Sequence, residues 1–433
     1  MDLGSDVFGP QDVAVDKKPE PFVVMMTIDR ETSSVVLTRS DGKEARQSIA
    51  PAPFESTSVL SRLHWSPALG DLVAVTCKGD DIAFELPVRD RSDQLEQRLV
   101  VYLDQWVWRR ITEALQGGTT VDREDRDAAE QLAEWVRDRR IVLPASAGHY
   151  YETTKWASEH NRYRLGLTIL QLSRGWQMLD PLQVRRDEID GMFRRWLGQD
   201  ADGRATAVFT LTPNSLHSSS RMVPYTPPSD FSTDDAFRMV ALTAASAYID
   251  VMLDTERVEP GPEPGWVQFN QRFSDWLDGQ NWDSQQKRRS IDALLFADFR
   301  NELAEGAQGA GLSPQDLQRW GQKQPMNGFS ILPATGLYRA MLHHRHLNRG
   351  TTWKRSDLTD MIYLSCAAGY ADFVVCEKHM REPLERGVRR LGLRTKVFRH
   401  LSEAVAAIGH SLEHQAHDID ASAQQESNDL RRG

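Results

Sequence analysis

The sequence predicts an α/β protein with a small β domain at its amino terminus, and three observations lead to that fold class. Short runs rich in Val, Ile and Thr follow one another from Pro21 to about Arg91, with turn residues between them. Apolar runs that alternate with helical patterns occupy residues 97–175. The same alternation resumes at about Leu332, after a long helical stretch. Strands that alternate with helices are typical of a parallel sheet flanked by helices.

The amino-terminal elements come first. Residues 1–20 are acidic and polar, so we expect them to be disordered, and they lack the basic segment and apolar run of a secretory signal. Residues 21–95 predict a small β domain, because the runs VVMMTI, SSVVLTR, DLVAVTC and DIAFELPV are separated by turn residues. We expect an antiparallel barrel or half-barrel there.

The first α/β part covers residues 97–175. QRLVVYLD is a continuous apolar run that ends in an acid, which indicates a strand buried on both faces, as in a parallel sheet. Two helical patterns follow, in WVWRRITEAL and EDRDAAEQLAEWVRDRR. The short run IVLPAS predicts a second strand, and HYYETTKWASEHNRYRLGLTILQLS predicts one further helix.

Residues 176–330 predict a helical insertion, because helical segments there are connected by loops rich in Pro and Gly, such as VPYTPPSD and EPGPEPG. Residues 331–410 return to the α/β pattern, with FVVC and TKVFR as short strands. Residues 411–433 are polar and predict a tail.

Composition narrows the class of protein. Of the 433 residues 40% are hydrophobic and 26% are charged, as in ordinary globular proteins. Three cysteines, without a CxxC pair, favour a reducing and therefore cytoplasmic location. The longest apolar stretch, MVALTAASAYIDVML, carries Asp250 and is shorter than the ~20 residues of a membrane span. A net charge of −10 argues against indiscriminate binding to nucleic acid but leaves room for a local basic groove.

Acidic residues follow the predicted parallel strands. In an open parallel sheet, ligands bind at the carboxyl ends of the strands. Asp104 ends the first strand, Glu152 lies on the helix after the second, and Glu377 follows FVVC. Asp372 precedes FVVC, so we expect it at the opposite edge.

Two more acids open the helix before FVVC. Asp357 follows Ser356, so we expect it to cap the helix, whereas Asp360 precedes the apolar run and is expected to face inward. Each acid taken alone is more often a cap or a solvated charge. Several acids at one sheet edge instead predict a site for Mg²⁺ or Mn²⁺, which prefer carboxylate oxygens.

The arrangement resembles the PIN-domain nucleases. The resemblance rests on VVYLDQWVW, SAGHYYETTK and DMIYLSCAAGYADFVVCEK and covers residues 97–175 and 330–410. It implies a PIN-like parallel sheet with flanking helices, interrupted by the helical insertion. It also implies a metal-dependent endonuclease, usually acting on RNA, in which Asp104, Glu152 and Asp360 hold Mg²⁺ or Mn²⁺.

One acid of the family pattern is displaced. Lys378 stands where the family places an aspartate, so Glu377 or Asp372 would take its part. The implied reaction is phosphodiester hydrolysis by an activated water, which gives a 5′-phosphate and a 3′-hydroxyl. By analogy, such an enzyme would serve as a toxin or in defence against phage.

Two alternatives to an RNA nuclease stay open. A PIN-like module without catalysis would bind RNA or protein and cut neither, and a nuclease of the same fold could act on DNA. The absence of GxxxxGK, HExxH and GxSxG from the sequence argues against a nucleotide-driven motor, a zincin or a serine hydrolase.

A single strand of nucleic acid would need cations for its phosphates. The candidates near the three proposed ligands are Arg109, Lys155, Arg345, Lys354 and Arg355. The neighbouring tryptophans are more often core residues. His343, His344 and His346 lack ligand-spaced partners and are expected on a helix surface, and the three cysteines are expected in the core.

Overall fold

The computed structural model describes most of the chain. The described residues are 21–49, 58–67, 69–87, 94–95, 97–118, 120–199, 207–212, 233–254, 256–259, 261, 265–323 and 328–430. The disorder expected for residues 1–20 therefore lies outside them.

Six strands form an antiparallel sheet near the amino terminus. They are β1 (Val23–Asp29), β2 (Ser34–Arg39), β3 (Glu44–Ser48), β4 (Leu60–Ser66), β5 (Asp71–Thr76) and β6 (Asp81–Glu85). The strand order is β3-β2-β1-β4-β5-β6, so within the described residues the sheet is open rather than a closed barrel. In β5 every second residue is buried, which is the alternation expected of a strand with one face on the core.

The next part carries two strands of a second sheet, four helices and the short strand β9, which belongs to a third sheet. Its elements are β7 (Leu99–Leu103), α1 (Gln105–Leu115), α2 (Arg123–Arg137), β8 (Ile141–Val142), α3 (Ala147–Thr154), α4 (Glu159–Ser173) and β9 (Gln177–Met178). The single helix predicted after β8 is two helices. Ser158 ends the first segment because its side chain accepts a hydrogen bond from the backbone N–H of Asn161 and so caps α4.

The predicted insertion is mainly helical where the structure describes it. It contains α5 (Pro181–Trp196), β10 (Phe209–Thr210), α6 (Thr233–Leu253), α7 (Gly265–Gly279), α8 (Ser284–Asp298), α9 (Arg300–Gly309) and α10 (Pro314–Lys323). The short strands β9 and β10 pair with each other in antiparallel fashion.

The carboxy-terminal part returns to the α/β pattern. It contains α11 (Pro333–Leu347), α12 (Asp357–Tyr370), β11 (Phe373–Val375), α13 (Lys378–Leu391), β12 (Lys396–Phe398) and α14 (Leu401–Leu430). Residues 411–430 of the predicted polar tail continue α14. Low apolar content does not prevent this, because Ala, Glu and Gln favour the helix without burial.

The second sheet is parallel, with the order β12-β11-β7-β8. The predicted mixed α/β class, with an amino-terminal antiparallel sheet, is therefore confirmed. Strand β7 lies in the middle of the sheet and is buried on both faces, as its continuous apolar run predicts. None of the described helices is long and apolar enough to cross a membrane.

The two faces of β7 contact different cores. Val101 and Leu103 belong to a core shared with α1, α2, α4, α14 and the antiparallel sheet. Val100 and Tyr102 belong to a second core, formed with α5, α8 and α11–α13. The parallel sheet thus lies between two cores, one shared with the amino-terminal sheet and α6, the other with the remaining helices of the insertion.

Candidate functional site

Asp104 is held at the carboxyl edge of the parallel sheet. It follows β7 directly and caps α1, since its Oδ1 accepts a hydrogen bond of 2.8 Å from the backbone N–H of Gln105. Its own backbone N–H donates to the carbonyl oxygen of Val375, 3.0 Å away at the end of β11. These bonds fix the Asp104 backbone and its carboxyl group between two adjacent strand ends.

Glu152 reaches the same edge from α3, the helix that follows β8. Its Oε1 lies 2.5 Å from the Nζ atom of Lys155, and both side chains are partly buried. Helix α3 begins at a capping box in which Ser146 and His149 satisfy each other's backbone N–H groups. The start of α3, and hence the place of Glu152, is therefore fixed by side chains of its own first turn.

Asp360 lies in the first turn of α12 and Glu377 follows β11. The Asp360 backbone N–H donates to the carbonyl oxygen of Ser356, and the Ser356 side chain also hydrogen-bonds the Asp360 carboxyl group. Glu377 is the residue before α13, is about half exposed, and has its Oε2 3.1 Å from Nδ1 of His379. Neither Ser356 nor His379 is among the predicted site residues, although each lies within four residues of a predicted acid.

The electrostatics show that these four acids form one group. The pKa of Asp104 is raised to about 6, chiefly by burial and then by the charges of Glu377 and Glu152, against hydrogen bonds from the backbone N–H groups of Gln105 and Glu377. Burial raises the pKa of Asp360 to about 8, with further contributions from the charges of Asp104, Glu152 and Glu377. The charges of Asp104, Glu152 and Glu377 therefore act on Asp360, and those of Glu152 and Glu377 act on Asp104.

The carboxylates of the acidic edge do not form a closed metal cage among the described residues. In the described part of the chain, no three His, Cys, Asp or Glu side chains are grouped closely enough to hold a metal ion together. The expected three-ligand set of Asp104, Glu152 and Asp360 is therefore not assembled, and Glu152 pairs with Lys155 instead. One or two carboxylates are enough for Mg²⁺, which usually keeps several waters.

Two other acids have structural roles. Asp372 lies at the opposite edge, as predicted, where its Oδ2 accepts a hydrogen bond of 2.8 Å from the backbone N–H of Val100. The prediction that Asp357 caps α12 is wrong: Ser356 precedes the helix and Asp357 is its first residue. Asp357 is fully buried, and its Oδ2 lies 2.5 Å from Nη2 of Arg345 and 2.6 Å from the backbone nitrogen of Lys354.

The five basic residues expected to bind the phosphates of the substrate differ in what they contact. Arg345 pairs with Asp357, and Arg355 donates to the carbonyl oxygen of Gly261. Lys155 pairs with Glu152 at the acidic edge. Arg109 is exposed and lies over the ring of Trp156 at 3.9 Å, and Lys354 is exposed. Arg109 and Lys354 are therefore the two whose side chains remain most accessible to a ligand.

The aromatic and imidazole side chains near the site are mostly core. Trp108 and Trp353 are buried, as their helical spacing favours. His149 is also buried; its Nε2 lies 2.8 Å from the carbonyl oxygen of Leu103, and burial lowers its pKa to about 4. A neutral His149 that donates to Leu103 supports the strand end before Asp104 rather than a substrate.

Two expectations, one about the histidines of α11 and one about the cysteines, are wrong. His343 and His346 are buried instead of lying on a helix surface, because His343 pairs with Asp292 and His346 bonds Ser274. Cys77 is exposed, since it follows β5 in a turn.

No protein-family model, no curated protein and no solved structure matches the chain.

Proposed function

We propose that this protein is a PIN-like, metal-dependent endoribonuclease that hydrolyses phosphodiester bonds at the edge formed by Asp104, Glu152, Asp360 and Glu377. The observation that carries the proposal is the convergence of these acids at the carboxyl ends of β7 and β11, with the raised pKa values of Asp104 and Asp360 as its electrostatic signature. Clusters of titratable groups with perturbed pKa values are common at functional sites.

The charge states of the acids suit cation binding. At neutral pH, Asp104 is mainly ionised because its pKa is about 6, and Asp360 holds a proton because its pKa is about 8. Asp360 keeps its proton because burial, and then the neighbouring carboxylates, disfavour its charge, and a bound cation would favour the ionised form. Asp104 and Asp360 would then hold the cation as carboxylates.

The chain's own groups position the reaction. Bound Mg²⁺ or Mn²⁺ supplies Lewis acidity, lowering the pKa of a water and offsetting charge at the phosphate. Asp104 is aligned by its hydrogen bonds at two strand ends, and Glu152 is oriented by Lys155. Because water is the nucleophile, the reaction needs no nucleophilic side chain.

The proposal is tested by cleavage of mixed RNAs by the purified protein with Mn²⁺ or Mg²⁺. We expect cutting that EDTA stops and that Asp104→Asn lowers at least a hundredfold. Asp127→Asn is the matched control, because Asp127 is an exposed acid on α2 that pairs with Arg123 on the same helix. Equal cleavage by wild type and Asp104→Asn would refute the assignment, and the same assay on DNA decides between the two nucleic acids.

A second candidate is a non-catalytic PIN-like module that binds RNA or protein. It is favoured by one observation, that the described residues do not assemble three metal-holding side chains. This candidate predicts RNA binding that neither EDTA nor Asp104→Asn changes, with no cleavage products.

A further inference from the structure

Two exposed histidines form a close pair on α14, away from the acidic edge. His410 and His414 are four residues apart, so they lie on the same face of the helix. Their Nε2 atoms are 3.3 Å apart, and their ring centroids are 4.3 Å apart. Both side chains are exposed to solvent.

We propose that His410 and His414 form a two-histidine binding site for a divalent transition-metal ion such as Zn²⁺, completed by water. A tetrahedral Zn²⁺ ion with Zn–N bonds of about 2.0–2.1 Å holds two nitrogen ligands about 3.3–3.4 Å apart. The observed separation of 3.3 Å between the two Nε2 atoms matches that spacing. The pair thus needs no change in the spacing of its donor atoms to chelate one ion.

The ligand chemistry selects the class of ion. Imidazole nitrogen suits Zn²⁺, Cu²⁺ and Ni²⁺, whereas Mg²⁺ and Mn²⁺ prefer the oxygen donors of the acidic edge. Among the described residues no third His, Cys, Asp or Glu joins the pair. Without metal, the same contact is a hydrogen bond between imidazoles in which one Nε2 carries the proton.

This site lies at the other end of the parallel sheet from the acids. Gln415, next to His414, donates from Nε2 to the carbonyl oxygen of Gln97, which precedes β7. Asp104 follows β7, seven residues after Gln97, which corresponds to about 20 Å along an extended strand. A metal ion at the histidine pair is therefore independent of the proposed catalytic ion.

An ion that bridges residues four apart closes one turn of α14. Because the ion binds the folded helix better than the frayed one, it stabilises the helix by mass action. We expect its effect to be local to the turn of α14 that carries His410 and His414.

Calorimetric titration of the full chain with ZnCl₂ tests the proposal. Wild type should show one tight site, and His410→Gln and His414→Gln should each weaken it more than tenfold, since loss of either ligand destroys the chelate. His160→Gln is the matched control, because His160 is an exposed histidine on α4, and it should bind Zn²⁺ as wild type does. Circular dichroism confirms that the variants fold.

Two results would overturn the proposal. One is the absence of a tight Zn²⁺ site in wild type. The other is a halved stoichiometry with unchanged affinity in each single variant, which would mean that the histidines bind separately. Repeating the titration on Asp104→Asn keeps the two sites apart: Zn²⁺ binding should persist there, whether or not the protein proves to be a nuclease.

Discussion

Ionised Asp360 serves the proposed function but lowers the stability of the fold. Its pKa is raised from 3.8 to about 8, chiefly by burial and then by the charge of Asp104. Between these two pH values the folded chain holds a proton that the unfolded chain has lost. Stability of the metal-free protein must therefore fall as pH rises from about 4 to about 8 at this residue.

Asp360→Asn should raise the stability of the metal-free protein at pH 8 while abolishing metal-dependent activity. Asparagine carries no charge, so it avoids the repulsion that the ionised Asp360 meets. Because one pKa unit corresponds to about 1.4 kcal/mol, we expect a gain of about 2 kcal/mol or more at pH 8 and little change near pH 4. Thermal unfolding in EDTA at both pH values measures it.

The control for this prediction is Asp127→Asn, whose exposed side chain should give the same small effect at both pH values. A stability difference for Asp360→Asn that does not depend on pH would show that ionisation of Asp360 does not destabilise the folded state.

At the scale of elements, one buried carboxylate joins the helical insertion to the α/β part. Glu188 of α5 accepts hydrogen bonds from the backbone N–H groups of Ala334 and Thr335 at 2.7 and 2.9 Å. It also accepts from the hydroxyl groups of Thr335 and Tyr370 at 2.6 and 2.8 Å. Leu332, the residue before α11, provides no side-chain cap, so Glu188 caps that helix from another element.

Glu188→Ala should destabilise the protein by about 3 kcal/mol or more, because it leaves buried backbone donors without an acceptor. Glu188→Gln should cost less, since its amide oxygen still accepts. Urea unfolding measures the free energy of unfolding of both variants.

Glu305→Ala is the control: Glu305 is an exposed acid on α9, and its loss should change the free energy of unfolding by less than about 0.5 kcal/mol. An equally small change in Glu188→Ala would exclude the capping role.

What the sequence predicts at this scale follows local pattern, and what it misses depends on distant partners. The run that ends in Asp104 identified a strand buried on both faces, because continuous apolar residues require it. The burial of Asp357 was not predictable, since its partner Arg345 lies on the preceding helix. His343 is similar, because its partner Asp292 is 51 residues away in the insertion.

For the acidic edge, the sequence selected Asp104 and Glu377 by their position after a strand, and Glu152 and Asp360 by their position in helices. It could not predict the side-chain distances that decide how many of them reach one ion. The pair of Lys155 and Glu152 could have been predicted, because the two residues are only three apart in the sequence. It matters for the number of metal ligands, since Glu152 is one of the three that were expected.

At the scale of the whole molecule, the antiparallel sheet and the parallel sheet are parts of one core. Leu72 and Ile82 of the amino-terminal sheet belong to the same buried cluster as Val101 and Leu103 of β7. A largely buried ion group also joins the two sheets. Glu85 at the end of β6 lies 2.8 Å from Arg98, just before β7, and 3.4 Å from Arg174, just after α4.

Glu85→Ala should therefore loosen both sheets together. Removing the carboxylate leaves two guanidinium groups without their buried partner, at a cost of about 3–5 kcal/mol. Hydrogen exchange followed by mass spectrometry should show faster exchange in β4–β6 and, by a similar factor, in β7 and α4.

Asp71→Asn is the control, because the pair of Asp71 and Arg139 also joins the two parts but is more exposed, so its loss should cost less than about 1 kcal/mol. Faster exchange confined to β4–β6 would mean that the amino-terminal sheet opens as a separate domain, and the position of Asp104 would then be independent of it.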